Sequence, residues 1–178
     1  MRILIISTVR TGGRQLGEWI SKELKHQLYH EPNTTNIDGD NIVVKHIVNS
    51  VVDLNIELQN GFDPNDWDKI ITLKRNDIRG AAESMVIAEN NQKWHSPYTI
   101  SNEWIKEKES DVKENETFIG KGNEVIDKID FAGLKLTYEG IYNTGEDTPK
   151  LQEYLGITNP QYQHMLDKKN KYRKDILL

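Results

Sequence analysis

Met1-Arg-Ile-Leu-Ile-Ile-Ser-Thr8, Val9-Arg-Thr-Gly-Gly-Arg14 and Gln15-Leu-Gly-Glu-Trp-Ile-Ser-Lys-Glu-Leu24 are read together. The first stretch is apolar and rich in β-branched residues, the pattern of a buried strand. The third has the apolar spacing of an amphipathic helix. Between them lies a glycine loop carrying two arginines. Backbone N–H groups of such a loop and the positive end of the following helix converge on one point, which makes an anion site. A phosphate-like ligand is therefore expected here.

Outward from that unit, strands alternate with helices. Asn41 to Val48 reads as a second strand and Asp68 to Lys74 as a third. Ile70, Ile71 and Leu73 suit a sheet covered on both faces. Arg75-Asn-Asp77 turns into a helix from about Ile78 to Asn90, with Asp77 as its N-cap. Ser101 to Glu114 reads as an exposed helix and Val125 to Phe131 as another. Leu134 to Tyr138 is a short fourth strand, and Pro149 to Leu155 a helix closed by Gly156. His30 to Asp40 and Asn60 to Asn65 are turn-rich loops. Gly120-Lys-Gly122 has no strand before it and reads as a surface turn. The alternation predicts an α/β fold, a three-layer parallel sheet with right-handed crossovers and flanking helices. Ligands of such sheets bind at the carboxyl ends of the strands. The loop at Arg10 and the turn at Arg75 both lie there and are expected to share one ligand.

Size and composition narrow the function classes. The chain has 178 residues, 36% hydrophobic and 29% charged, with a net charge of −5, and reads as one domain spanning 1–178. Mean hydropathy is −0.70, which suggests long exposed loops. The acidic balance argues against general nucleic-acid or membrane binding, so an anion site must be a local concentration of arginine and lysine. The absence of cysteine excludes disulfides, thiolate zinc ligands and thiol catalysis. It also fits a reducing compartment, and a cytoplasmic location is the expectation. The N-terminal apolar run is too short to span a bilayer and lacks a cleavage site, so it reads as a core strand. His26 and His30 are four apart, but a third zinc ligand is missing and no metal is expected.

The N-terminal loop is not a Walker A sequence, which places Lys and Ser/Thr at the helix start. Gly-Gly-Arg-Gln stands at that point, and the third strand ends in Lys74-Arg75 rather than an acidic Mg²⁺ partner. Both features weaken an ATPase or kinase reading.

Ser7-Thr-Val-Arg-Thr-Gly-Gly13 resembles the 5′-phosphosulfate loop of sulfotransferases. Arg75, Asp77, Ala82 and Ser84 match the spacing of that family's 3′-phosphate element in its bacterial carbohydrate branch. Leu136-Thr-Tyr-Glu139 followed by Leu151-Gln-Glu-Tyr-Leu-Gly-Ile157 is similar to its later segments. The pieces occur in family order over most of the chain. The resemblance implies a P-loop-like sulfotransferase fold and a donor, 3′-phosphoadenosine 5′-phosphosulfate, with 3′,5′-adenosine bisphosphate as product. A donor with anions at both ends of one nucleoside needs two cationic sites. The resemblance further implies Arg10 at the bridging oxygen, Thr11, Gly12, Gly13, Arg14 and Gln15 around the 5′-phosphosulfate, and Arg75 with Ser84 on the 3′-phosphate. A basic tail including Arg173 and Lys174 would fold back toward that phosphate. For the base that takes the acceptor proton, Glu31 in His30-Glu-Pro32 is the first candidate and His46 the second. His95 beside Trp94 is a candidate for lining the acceptor site. The acceptor implied is a carbohydrate or small-molecule hydroxyl, with no metal requirement. Gly13-Arg14 departs from the family's usual hydroxyl pair, which keeps a catalytically lapsed nucleotide-binding protein open. A P-loop phosphotransferase is the other alternative.

Overall fold

The structure is a computed structural model and describes residues 1–32, 37, 39–48, 63–91 and 102–167. Five strands form one all-parallel sheet: β1 (Arg2–Ser7), β2 (Gln27–His30), β3 (Ile42–Ile47), β4 (Lys69–Lys74) and β5 (Leu134–Thr137), in the order β2-β3-β1-β4-β5. The helices are α1 (Gly13–Leu24), α2 (Ile78–Asn91), α3 (Asn102–Glu107), α4 (Glu109–Lys128), α5 (Tyr138–Tyr142), α6 (Thr148–Leu155) and α7 (His164–Asp167), with a 3₁₀ turn at Pro64–Asp66.

Side chains alternate across the sheet and define its two covered faces. Ile3 and Ile5 of β1, Val43 of β3 and Ile71 and Leu73 of β4 pack with Leu16, Trp19 and Ile20 of α1 and with Ile141, Tyr142 and Leu151 of α5 and α6. Leu4, Ile6, Val44 and Ile70 face the other way and pack under Val125, Ile126 and Ile129 at the end of α4. A smaller cluster of Ala81, Ala82 and Val86 with Val112 and Ile119 joins α2 to α4. Each large side chain buried in these clusters contributes about 1.5–3 kcal/mol relative to exposure.

This strand order has a consequence for ligands. The chain leaves β1 through α1 and crosses to β2 on one side of the sheet. It leaves β4 through α2 to α4 and crosses to β5 on the other. The two exits are neighbours, because β1 and β4 pair directly. Adjacent strands whose connections diverge open a crevice at their carboxyl ends, where ligands of open α/β sheets bind.

Several sequence expectations need correction. Gln27–His30 is a strand at the sheet edge, so His30 belongs to β2 and the predicted second strand is the third. Gly120-Lys-Gly122 is not a surface turn; it lies inside the twenty-residue α4, which also absorbs most of Val125 to Phe131. Tyr138 opens α5 rather than ending β5. His26 and His30 do not share a helix face, because α1 ends at Leu24. By contrast, Asp77 accepts the Gly80 N–H at 2.9 Å as the expected cap, and Gly156 closes α6 at φ 71°. Trp94, His95 and the basic tail with Arg173 and Lys174 lie outside the described residues.

Asp147 ties the α5–α6 corner to β5. Its Oδ2 accepts the Thr137 N–H at 3.2 Å and its Oδ1 the Lys150 ammonium at 2.7 Å. Burial pushes its pKa up, but the hydrogen bonds from Lys150 and Thr137 outweigh that and leave it below the ordinary carboxylate value. A folded-state pKa below the unfolded one gives stability that is complete above about pH 4 and is lost as pH falls through the folded value. Asp147→Asn is expected to lower the melting temperature at neutral pH and to shrink the difference between pH 5 and pH 2. Melting curves of both proteins over that range check it; parallel acid limbs would contradict it.

Candidate functional site: the crevice between the β1 and β4 exits

The β1 exit is shaped by two left-handed residues. Arg10 has φ 57° and Gly12 φ 78°. The left-handed region is free for glycine but costs a side-chain-bearing residue about 1 kcal/mol, and such residues gather at functional sites. Gly12 is also the N-cap of α1, and among the described residues no side chain caps the helix. The first amide N–H groups of a helix have no intrahelical partner, and such a helix start is suited to receive an anion. The loop is pinned from behind. Thr11 Oγ1 donates to the Thr8 carbonyl at 2.8 Å, and Tyr142 OH to the Gly12 carbonyl at 2.8 Å. Burial raises the Tyr142 pKa well above the phenol value, so it stays a donor. Gly13 has to be small, since a Cβ there would lie 2.7 Å from Ser7 Oγ and 3.1 Å from Lys45 Cε. The Ser7 hydroxyl is buried without a hydrogen-bond partner among the described residues.

The β4 exit contributes Arg75, 6% exposed. Its guanidinium stacks on the Tyr138 ring at 4.5 Å. Nη2 donates to Asp77 Oδ2 at 3.1 Å, and Nη1 to the Arg10 carbonyl at 3.4 Å. Its Nε is buried with no acceptor among the described residues. Glu139 stabilises the same turn, its carboxylate accepting the Asn76 and Asp77 N–H groups at 3.1 and 3.0 Å.

Arg10 spans the crevice. Its Nε and Nη2 both donate to Ser84 Oγ on α2, at 2.9 and 2.6 Å. Burial lowers the Arg10 pKa, and the positive charge of Arg75 lowers it further. Gly80 lies one helical turn before Ser84, and a Cβ there would sit 2.7 Å from Arg75 Nη2. Arg10, Arg75 and Ser84 thus meet on one face of α2. Two guanidinium groups, a hydroxyl and an uncapped helix start around one crevice can hold a polyanion.

No family model matches this chain, and no curated protein is significantly similar to it.

The remaining expected residues divide. Arg14 is in the first turn of α1 and donates to Glu18 at 2.9 Å, half exposed. The Gln15 side chain is turned away, hydrogen-bonded to the Met165 carbonyl. Glu31, with φ 51°, forms an ion pair with Lys45. Lys45 and His46 are consecutive on β3, so their side chains leave opposite faces. Lys45 and Glu31 belong to the α1 face beside Gly13, whereas His46 pairs in register with Ile6 on the α4 face.

Lys45 is a residue the sequence reading missed. Its side chain is 5% exposed, and burial lowers its pKa against the pull of Glu31. One charged residue in Ile42-Val-Val-Lys-His-Ile47 was its signal, because a buried lysine needs a partner. Tyr142 joins the loop to a second feature, a groove of about 360 Å³ lined by Asn143, Thr144, Gln152 and Gln163 among others. Among the described residues, no group of three or more His, Cys, Asp or Glu could hold a metal ion, and no helix is long and apolar enough to cross a membrane.

Proposed function

We propose that this protein is a sulfotransferase that moves a sulfuryl group from 3′-phosphoadenosine 5′-phosphosulfate to a hydroxyl of a carbohydrate or small molecule. The observation that carries the reading is the meeting of Arg10, Arg75 and Ser84 beside the uncapped start of α1. It supplies two cationic points for a ligand anionic at two ends. The 5′ end lies at the amides of Thr11, Gly12 and Gly13, where the α1 dipole favours negative charge. The 3′-phosphate lies against Ser84 and the Nε–H of Arg75, which is buried without an acceptor among the described residues.

The transfer asks little covalent chemistry of the protein. Arg10 stabilises charge on the departing 5′-phosphate, as preorganised donors do in a water-poor site. The hydroxyl is held in line with the sulfur. Glu31 takes its proton, which requires release from Lys45, and Lys45 then remains as a positive charge beside the loop. A sulfuryl group carries less charge than a phosphoryl group, so arginines and amides suffice without Mg²⁺. The loop also lacks the Lys-Ser/Thr pair that phosphotransferases use for Mg²⁺ and the β/γ-phosphates.

A second reading is a nucleotide-binding protein without turnover. The ion pair that engages Glu31 favours it, as does Gly13-Arg14 in place of a hydroxyl pair. Calorimetric titration of 3′,5′-adenosine bisphosphate and ATP, each with and without Mg²⁺, tests both readings against a phosphotransferase. Metal-independent micromolar binding of the bisphosphate, with weak ATP binding, is expected. Mg²⁺-dependent ATP binding with no bisphosphate preference would overturn the proposal. Release of bisphosphate from the donor on adding an acceptor separates the enzyme from the non-catalytic protein.

A further inference from the structure

Asn123 is buried on α4, 8% exposed, on a helix face otherwise made of Val112, Ile119 and Ile126. A polar side chain at such a position has to be satisfied internally. Both ends of its amide are used. Oδ1 accepts from Thr8 Oγ1 at 3.2 Å, and Nδ2 donates to the Arg75 carbonyl at 2.8 Å. Thr8 is the first residue beyond β1, and Arg75 the first beyond β4. One side chain from a helix more than forty residues away in sequence therefore bridges the two exits that form the crevice.

We infer that Asn123 is a positioning residue that fixes the separation of the two anion-binding loops. The inference rests on the nucleotide reading above. The two loops lie on adjacent strands, and beyond the strand ends, among the described residues, they are joined not by a backbone ladder but by side chains, the Arg75 Nη1 bond to the Arg10 carbonyl at 3.4 Å and the Asn123 bridge. The Asn123 amide replaces that missing ladder. It acts on the ligand only through the loops, by setting where Arg75 sits relative to the Thr11–Gly13 amides. A ligand that touches both loops depends on that spacing; a ligand that touches only the first does not.

The test is the ratio of affinities for 3′,5′-adenosine bisphosphate and adenosine 5′-monophosphate, measured by calorimetry on the full chain. Asn123→Leu keeps the branched shape and the number of heavy atoms, in a somewhat larger side chain, and removes both hydrogen bonds. Thr8→Val breaks one of them from the other end. Gly120→Ala, where an added methyl meets nothing within 4 Å, strengthens α4 and provides a background in which Asn123→Leu remains folded. In both variants bisphosphate affinity is expected to fall about tenfold and monophosphate affinity less than about twofold. The double variant should be no worse than Asn123→Leu alone, since both changes remove the same bridge. Partial unfolding would weaken both ligands alike and leave the ratio unchanged. A wild-type ratio in both variants, or additive losses in the double variant, would overturn the inference while leaving the nucleotide reading intact. If the unaltered protein shows no preference for the bisphosphate, the nucleotide reading fails and the inference falls with it.

Discussion

Arg10→Ala is expected to lower sulfuryl transfer by about 10²–10³-fold, the usual cost of removing a preorganised donor from a developing oxyanion. Bisphosphate affinity should fall much less. The product is bound largely by the α1 amides, Arg75 and Ser84, and losing Arg10 frees the Ser84 hydroxyl that now receives two of its N–H groups. The split between rate and affinity is the signature, since an interaction made mainly in the transition state appears in kcat. Alanine also inherits the left-handed backbone at φ 57°, so Arg10→Gly serves as the control that removes the strain with the charge. Initial rates from labelled donor, beside calorimetry of the product, measure both. Equal losses in rate and affinity would reassign Arg10 to ground-state binding.

Arg75→Ala is the more disruptive change. The guanidinium is stacked on Tyr138, paired with Asp77 and bonded to the Arg10 carbonyl. Its removal takes from Asp77 the ion pair with Arg75 and from the first loop its bond to the Arg10 carbonyl. A fully buried pair broken this way costs about 3–5 kcal/mol; Asp77 is 30% exposed, and roughly 2–3 kcal/mol is expected here. Bisphosphate affinity should fall more than tenfold. The 5′-monophosphate should weaken too, though less, because Arg75 also holds the first loop through Arg10. Arg75→Lys keeps the charge but not the planar fork or the stacking, so it should recover stability better than affinity. Denaturant melts and paired titrations separate these effects. Wild-type stability in Arg75→Ala would mean that the Tyr138 and Asp77 contacts contribute nothing.

The parts of the fold legible in the sequence are those whose signal is local. β1, the glycine loop and α1 form one uninterrupted pattern of period and punctuation. Asp77 and Gly156 are the helix-end residues their positions suggest. β2 was hidden because Gln27-Leu-Tyr-His30 is short, half polar and at the sheet edge, where only one neighbour imposes a pattern. α4 was hidden because two glycines outweighed the local signal. What holds that helix is burial of Val112, Ile119 and Ile126, seven residues apart, against partners that the local sequence does not reveal.

The candidate site divides the same way. Arg10, Gly12, Gly13 and Arg75 could be named from the glycine loop and the strand exits and Ser84 from the resemblance to sulfotransferases, and the structure brings the two arginines and the serine together. Their supports could not. Lys45, Asn123, Glu139 and Tyr142 reach the crevice from three different elements, β3, α4 and α5, and each matters through a contact distant in sequence. Gln15 had the right position and the wrong direction, because the α7 backbone captured its amide.

The most direct test of the central claim is an experimental structure of the protein with 3′,5′-adenosine bisphosphate. The 5′-phosphate is expected on the amides of Thr11 to Gly13, with Arg10 turned toward it from Ser84. The 3′-phosphate should lie against Arg75 and Ser84. A bisphosphate bound away from the β1 and β4 exits, with the Arg10–Ser84 contact intact, would contradict it.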